Sequence, residues 1–152
     1  MIRFFHQKGT EAFSEMVRRK MLNDRFLYAA EELTGFDPTY TSLAVNGADI
    51  LAPLLKSSDK IRVGLYTQNW FAYRVVPVNA YVPPSGREIF FNTRNVFKRE
   101  PRSIEQTLWH ELVHVSDDMN EELVYWHGDN KLKGKDETAP VKFAKWAAEF
   151  QL

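Results

Sequence analysis

The sequence predicts a single α+β domain over residues 1–152, in which a small mixed or antiparallel sheet lies between helices. Residues 11–33 contain neither Pro nor Gly and place apolar side chains at helical spacings, which predicts one long N-terminal helix. Residues 61–93 are rich in β-branched and aromatic residues, which predicts strands. Helical patterns return at residues 103–119 and 138–150. Neither a repeat nor a low-complexity tract suggests a second domain.

Composition and charge exclude several classes of partner. The chain has 20 Lys and Arg against 20 Asp and Glu, so the net charge is zero and no nucleic-acid partner is expected. No run of 18 apolar residues occurs and residues 1–6 are too short for a secretory signal, so no membrane partner is expected. The cytoplasm is the default location, with secretion by a signal-less route left open. Because cysteine is absent, His and carboxylates are the available metal ligands.

The first third of the chain gives a mixed pattern. The predicted helix over residues 11–33 could be interrupted at Asn23 and Asp24. The run of charged residues at positions 18–20 is interpreted as a solvent-exposed face of this helix. Residues 40–45 have the composition of a strand, and residues 50–55 that of a helical turn despite Pro53.

The middle of the chain is predicted to form the sheet. Residues 61–67 alternate apolar and other residues, and residues 70–82 are rich in aromatic and β-branched residues, so both are predicted strands. Pro77 places the second strand at an edge of the sheet or bends it, because proline has no N–H to donate to the hydrogen-bond ladder of a central strand. Residues 87–93 form a third short strand. The aromatic residues of this region, Tyr66 among them, are assigned to the core and the sheet surface.

One helix after the sheet carries the chemistry. Ser103, three residues before Gln106, matches a capping box and predicts that the helix starts there. His110 and His114 are four residues apart and therefore share one face, with Glu111 beside them. This is the H-E-x-x-H pattern, in which two His bind zinc and the Glu handles the proton of an attacking water. The remaining faces are largely apolar, so the His/Glu side is expected to line a cleft.

With these residues in place, the chain resembles the zincins, the H-E-x-x-H zinc metallopeptidases. The resemblance covers roughly residues 60–130 and rests on the motif, on the strand before the helix and on the order of elements. In zincins that strand is typically the sheet edge along which an extended substrate lies. The resemblance therefore implies that residues 88–93, with Ile89, Phe90 and Phe91, are a substrate-binding edge strand.

A catalytic zinc has three protein ligands and one open coordination position, so a third protein ligand is needed. The metzincin extension requires Gly at position 117 and His at position 120, where this chain has Asp117 and Asn120. The gluzincin alternative is a downstream Glu, for which three are available (Glu121, Glu122 and Glu137). His127 is the preferred ligand and Asp129 the second choice, because they flank a glycine that permits a sharp turn.

Two further residues have candidate supporting roles. Asp117 lies on the ligand face of the helix, where it suits the orientation of an imidazole better than ligation, because three ligands on one straight helix reach one ion poorly. Tyr125 is a candidate donor to a developing oxyanion, with an alternative role as a packed aromatic. The final helix, capped by Thr138, is expected to pack against the domain.

The predicted function is zinc-dependent hydrolysis of a peptide bond in a peptide or protein substrate, with one Zn²⁺ and with Glu111 as general base. One alternative is a non-catalytic binding module with a zincin-like shell, whose structural metal would be closed by four protein ligands. Hydrolysis of a non-peptide amide is a further alternative. The sequence leaves the oligomeric state open.

Overall fold

The structure is a computed structural model that describes residues 1–37, 44–83, 86–119 and 137–152. Within these residues the chain forms six α-helices and a four-stranded mixed sheet, which confirms the α+β class. The helices are α1 (Glu15–Met21), α2 (Asp24–Ala30), α3 (Gly47–Lys56), α4 (Trp70–Val75), α5 (Pro101–Met119) and α6 (Ala139–Glu149). The strands are β1 (Arg3–His6), β2 (Lys60–Tyr66), β3 (Ala80–Tyr81) and β4 (Glu88–Asn92).

The sheet has the order β1-β2-β4-β3, in which β1, β2 and β4 are parallel and β3 is antiparallel to β4. The predicted strands at residues 61–67 and 87–93 are confirmed as β2 and β4. The prediction that Ile89, Phe90 and Phe91 form an edge strand is wrong, because β4 lies between β2 and β3. Ile89 and Phe91 are completely buried in the core and cannot contact a substrate.

The predicted N-terminal helix is divided as the sequence suggested. A short 3-10 turn precedes α1, and α2 begins after Asn23, whose side chain accepts a hydrogen bond from the Phe26 backbone at 3.0 Å. An Asn in this role caps a new helix. The assignment of residues 18–20 to a solvated face is wrong for Lys20, which is buried and forms an ion pair with Glu105 at 2.6 Å.

The predicted strand over residues 70–82 is wrong, since its first half is α4 and only Ala80–Tyr81 is a strand. The Asn69 side chain accepts hydrogen bonds from the backbone of Phe71 and Ala72, at 3.0 and 3.4 Å. This cap favours a helix despite the strand propensity of the residues that follow. Trp70 and Phe71 are exposed residues of this helix, contrary to their assignment to the core and the sheet surface.

The motif helix α5 begins at Pro101, two residues before the predicted start. Proline suits the first helical position because its missing N–H has no helical partner there. The Ser103 hydroxyl instead accepts two hydrogen bonds from the Arg99 side chain, one from Nε at 3.1 Å and one from Nη2 at 3.0 Å. The predicted capping box is therefore replaced by a side chain from the preceding turn.

The core lies around α5, which contacts α1, α3 and α6. Trp109 is completely buried and stacks on Phe26 with ring centres 5.5 Å apart. The predicted packing of the last helix is confirmed by the buried residues Phe143, Ala144 and Ala147. The helical turn predicted at residues 50–55 lies within α3, whereas most of the strand predicted at residues 40–45 falls outside the described residues. No helix among the described residues is long and apolar enough to cross a bilayer.

Candidate metal centre

The two motif histidines come together on α5 as their spacing predicts. The His110 and His114 rings have centroids 5.2 Å apart and planes inclined by 66°. His114 is buried, with 4% of its surface exposed, whereas His110 and Glu111 are partly exposed. The helix therefore presents one buried and one accessible imidazole next to an accessible carboxylate.

The distance between the two rings fits a shared zinc ion. Imidazole nitrogens bind Zn²⁺ at about 2.0–2.1 Å in tetrahedral geometry, which places two coordinated rings with centres roughly 5 Å apart. Neutral imidazole nitrogen is also a ligand type that zinc prefers. The donor chemistry and the spacing of His110 and His114 both suit this metal.

The described residues do not supply a third ligand. No group of three or more His, Asp or Glu side chains within metal-binding reach occurs among them. Glu137 belongs to no such group; its side chain is 63% exposed and pairs with Lys142 at 3.2 Å, so its candidacy stays a prediction without support from the described residues. The other ligand candidates (His127, Asp129, Glu121 and Glu122) and the oxyanion candidate Tyr125 lie outside the described residues.

Asp117 is buried one turn beyond His114, with 5% of its surface exposed. A carboxylate at this depth suits the orientation of an imidazole more than contact with a substrate. Because no group of three possible ligands includes Asp117 within the described segments, it does not complete the metal site. Its predicted orienting role stays a prediction.

A cleft of about 560 Å³ opens on the motif face of α5. Its floor includes His110, Glu111 and residues one and two turns earlier on the same helix, Thr107 and Ser103. The opposite wall is the segment of residues 76–80, which leads into β3. His110 and Glu111 therefore face a cleft, as the sequence predicts, whereas the buried His114 is not among its lining residues, and the sheet edge beside the cleft is β3 rather than β4.

Two amide side chains fix that opposite wall. Gln68 accepts from the Val78 N–H at 3.0 Å and donates to the Val76 carbonyl at 3.0 Å. Asn92, which is completely buried, donates to the Val78 carbonyl at 2.8 Å and to the Gln68 side chain at 3.0 Å. The irregular backbone of residues 76–79 is thereby satisfied on its inner side.

Tyr66, at the carboxyl end of β2, interacts electrostatically with Glu111 and is not among the residues that line the cleft. Burial raises the pKa of the Tyr66 phenol to about 12, and the neighbouring Tyr81 phenol and the Glu111 carboxyl add to the rise. The ring packs edge-on against Tyr81 with centres 4.7 Å apart. Tyr66 is thus a protonated donor within electrostatic range of Glu111, which the sequence pattern did not reveal.

Arg99, in the turn before α5, also lines the cleft. Its Nη2 donates to the Ser103 carbonyl at 2.7 Å and to the Thr107 hydroxyl, and burial lowers the pKa of the guanidinium. It stays charged, because arginine does not lose its proton in proteins. The spacing of Arg99, Ser103 and Thr107 at intervals of four is the one sequence signal for this contact.

Comparisons with known proteins do not extend this description. No protein-family model, no curated protein and no solved structure matches the chain. The function is therefore inferred from the chemistry and geometry of the residues in and beside the cleft.

Proposed function

We propose that this protein is a zinc-dependent metallopeptidase of the zincin type. The observation that carries the proposal is the His110 and His114 pair, with ring centres 5.2 Å apart, beside a cleft that His110 and Glu111 line. His110 and His114 would hold one Zn²⁺, with His127 as the preferred third ligand and Asp129 as the second choice. The ion, when bound, polarises the scissile carbonyl and lowers the pKa of the attacking water.

The side chains of the chain itself handle the proton and the developing charge. Glu111 takes a proton from the attacking water and delivers it to the leaving amine. The Tyr66 phenol, which its pKa of about 12 keeps protonated at neutral pH, donates a hydrogen bond to the oxyanion that develops from the carbonyl. The carboxylate thus transfers the proton, and the phenol stabilises the developing negative charge.

The fold also supplies a place for an extended substrate. β3 is the outer strand of the sheet, and the segment of residues 76–80 that leads into it faces the motif across the cleft. An outer strand offers backbone groups to which an extended peptide can add by β-augmentation. We assign substrate alignment to this edge in place of Ile89, Phe90 and Phe91.

Zinc content tests the metal site directly. We expect about one zinc per chain in the wild type and a loss of most of it in His114→Asn, because two protein ligands bind zinc far more weakly than three. Elemental analysis after dialysis against metal-free buffer measures this. His6→Asn is the matched control, since His6 hydrogen bonds Ser14 at the end of β1. A metal-free wild type, or zinc retained fully by His114→Asn, would contradict the proposal.

Tyr66→Phe tests the oxyanion donor. We expect kcat to fall by about 10²-fold with KM and zinc content little changed, because a donor to the oxyanion acts mainly in the transition state. Tyr81→Phe is the control: it removes the hydroxyl of the ring that packs against Tyr66 while preserving the packing. Full kcat in Tyr66→Phe would exclude this role.

A further inference from the structure

Arg99 contributes a positive charge to the cleft without a carboxylate partner among the described residues. Its guanidinium contacts only neutral acceptors there, namely the Ser103 hydroxyl and carbonyl and the Thr107 hydroxyl. Its Nη1 is buried and has no acceptor within the described segments. A partly buried cation is costly to desolvate unless it is matched by an anion, so this arrangement favours a negatively charged ligand.

The position of Arg99 specifies where that negative charge belongs. Its Nη2 binds Thr107, which lies one turn before Glu111 on α5. One turn of helix is a rise of about 5–6 Å, and an extended peptide advances about 3.3–3.6 Å per residue. A peptide that lies along α5 would therefore place the residue facing the guanidinium about two positions from the bond that faces Glu111.

The opposite wall supports a peptide rather than an inorganic anion. Val76, Pro77 and Val78 line the cleft opposite Arg99, so the cleft pairs an apolar and backbone-rich wall with one cation. A carboxylate is also the group that the planar guanidinium fork matches best in a peptide.

We infer that Arg99 selects peptides with a carboxylate within two residues of the scissile bond. This inference rests on the proposed peptidase function and adds a substrate class to it. This carboxylate is either the free C-terminus of a peptide or the side chain of an Asp or Glu residue. The first source makes the protein a carboxypeptidase or dipeptidase, and the second makes it an endopeptidase with a preference for acidic sequences.

Three synthetic peptide libraries separate these sources. The first contains Asp and Glu and has free C-termini, the second differs only in amidated C-termini, and the third has free C-termini but Asn and Gln in place of Asp and Glu. Each is digested with zinc-loaded wild type and Arg99→Gln, and the cleavage positions are determined by mass spectrometry. We expect the wild type to cut next to one of the two carboxylates and Arg99→Gln to lose that preference.

Binding without turnover gives an independent reading. The libraries are passed over immobilised Glu111→Gln protein, with and without Arg99→Gln, and the retained peptides are quantified. We expect retention of the favoured carboxylate library to exceed that of its matched neutral library by about 10-fold, because only the carboxylate forms a charge-assisted hydrogen bond with the guanidinium. Arg99→Lys should keep part of this preference, since it keeps the charge but not the fork.

The controls separate failure of this inference from failure of the proposed function. Arg102→Gln removes an exposed cation at the start of α5 and should keep the full preference, and thermal melts check that each variant is folded. Cleavage with no carboxylate preference, or a preference that survives in folded Arg99→Gln, overturns the role of Arg99 alone. If no library is cut but Arg99-dependent retention persists, hydrolysis is wrong and the carboxylate site stands.

Discussion

Glu111→Gln is expected to lower kcat/KM for peptide hydrolysis by about 10³-fold while zinc content stays at the wild-type level. The amide has nearly the same shape as the carboxylate but cannot accept the proton of the attacking water. Glu111 sits between two ligand candidates on α5, lines the cleft and contributes to the raised pKa of Tyr66. The measurement is steady-state kinetics on the best-cleaved library peptide, with zinc determined on the same samples.

The matched control for this substitution is Glu100→Gln. Glu100 is exposed in the turn just before α5 and lies outside the cleft, so its loss should leave kcat/KM unchanged. Peptide cleavage that persists in Glu111→Gln would show that Glu111 is not the base. A wild type that retains zinc after dialysis but cuts no peptide would instead favour a binding module whose metal is structural.

The parts of the fold that the sequence predicts well are those with a strong local signal. The alternation of residues 61–67 and the helical apolar pattern of α5 both appear in the structure, because each pattern is the direct trace of one buried face. Asn23 likewise marks a real helix start, since its cap is formed within four residues. Local hydrogen bonds and local periodicity can be predicted from the sequence alone.

Strand order is the main feature that the sequence does not predict. The start of the chain becomes β1 because it pairs in parallel with β2, for example Phe4 with Ile61, more than 50 residues away. The wrong assignment of β4 to an edge has the same origin, because its neighbour β3 consists of two residues in a region read as one longer strand. Pairing between distant segments leaves no periodic trace in either one.

The candidate site likewise contains some residues that the sequence predicts and others that it does not. His110, Glu111 and His114 are predictable because one helix places all three side chains, and their spacing fixes the shared face. Arg99 reaches the cleft from the turn before α5, and Tyr66 comes within electrostatic range of Glu111 from β2, so only tertiary packing brings them to Thr107 and Glu111. The residues to which we assign the chemistry are thus predictable from the sequence, whereas those to which we assign charge stabilisation and selectivity are found only from the structure.

Lys20→Met is expected to lower the free energy of unfolding by about 3–5 kcal/mol, because it leaves a buried carboxylate without its cation. The Lys20 and Glu105 side chains are 2% and 9% exposed, and their charged atoms are 2.6 Å apart. Lys20 also donates to the Ala147 carbonyl at 2.7 Å, which joins α1, α5 and α6. For a chain of this length the melting temperature should fall by about 6–20 °C.

Glu105→Gln should also lower the free energy of unfolding, because it leaves the buried Lys20 cation without its anion, but by less than Lys20→Met does. The Gln oxygen can still accept from Lys20 and from the Trp109 indole N–H, which donates to Glu105 at 2.9 Å, and Lys20 keeps its carbonyl acceptor. Arg18→Met, an exposed cation on the same helix, is the control and should change stability by less than about 0.5 kcal/mol. Equal costs for Lys20→Met and Arg18→Met in urea unfolding would contradict a buried pair. In that case Lys20 would lie on the solvated face that its sequence context predicts.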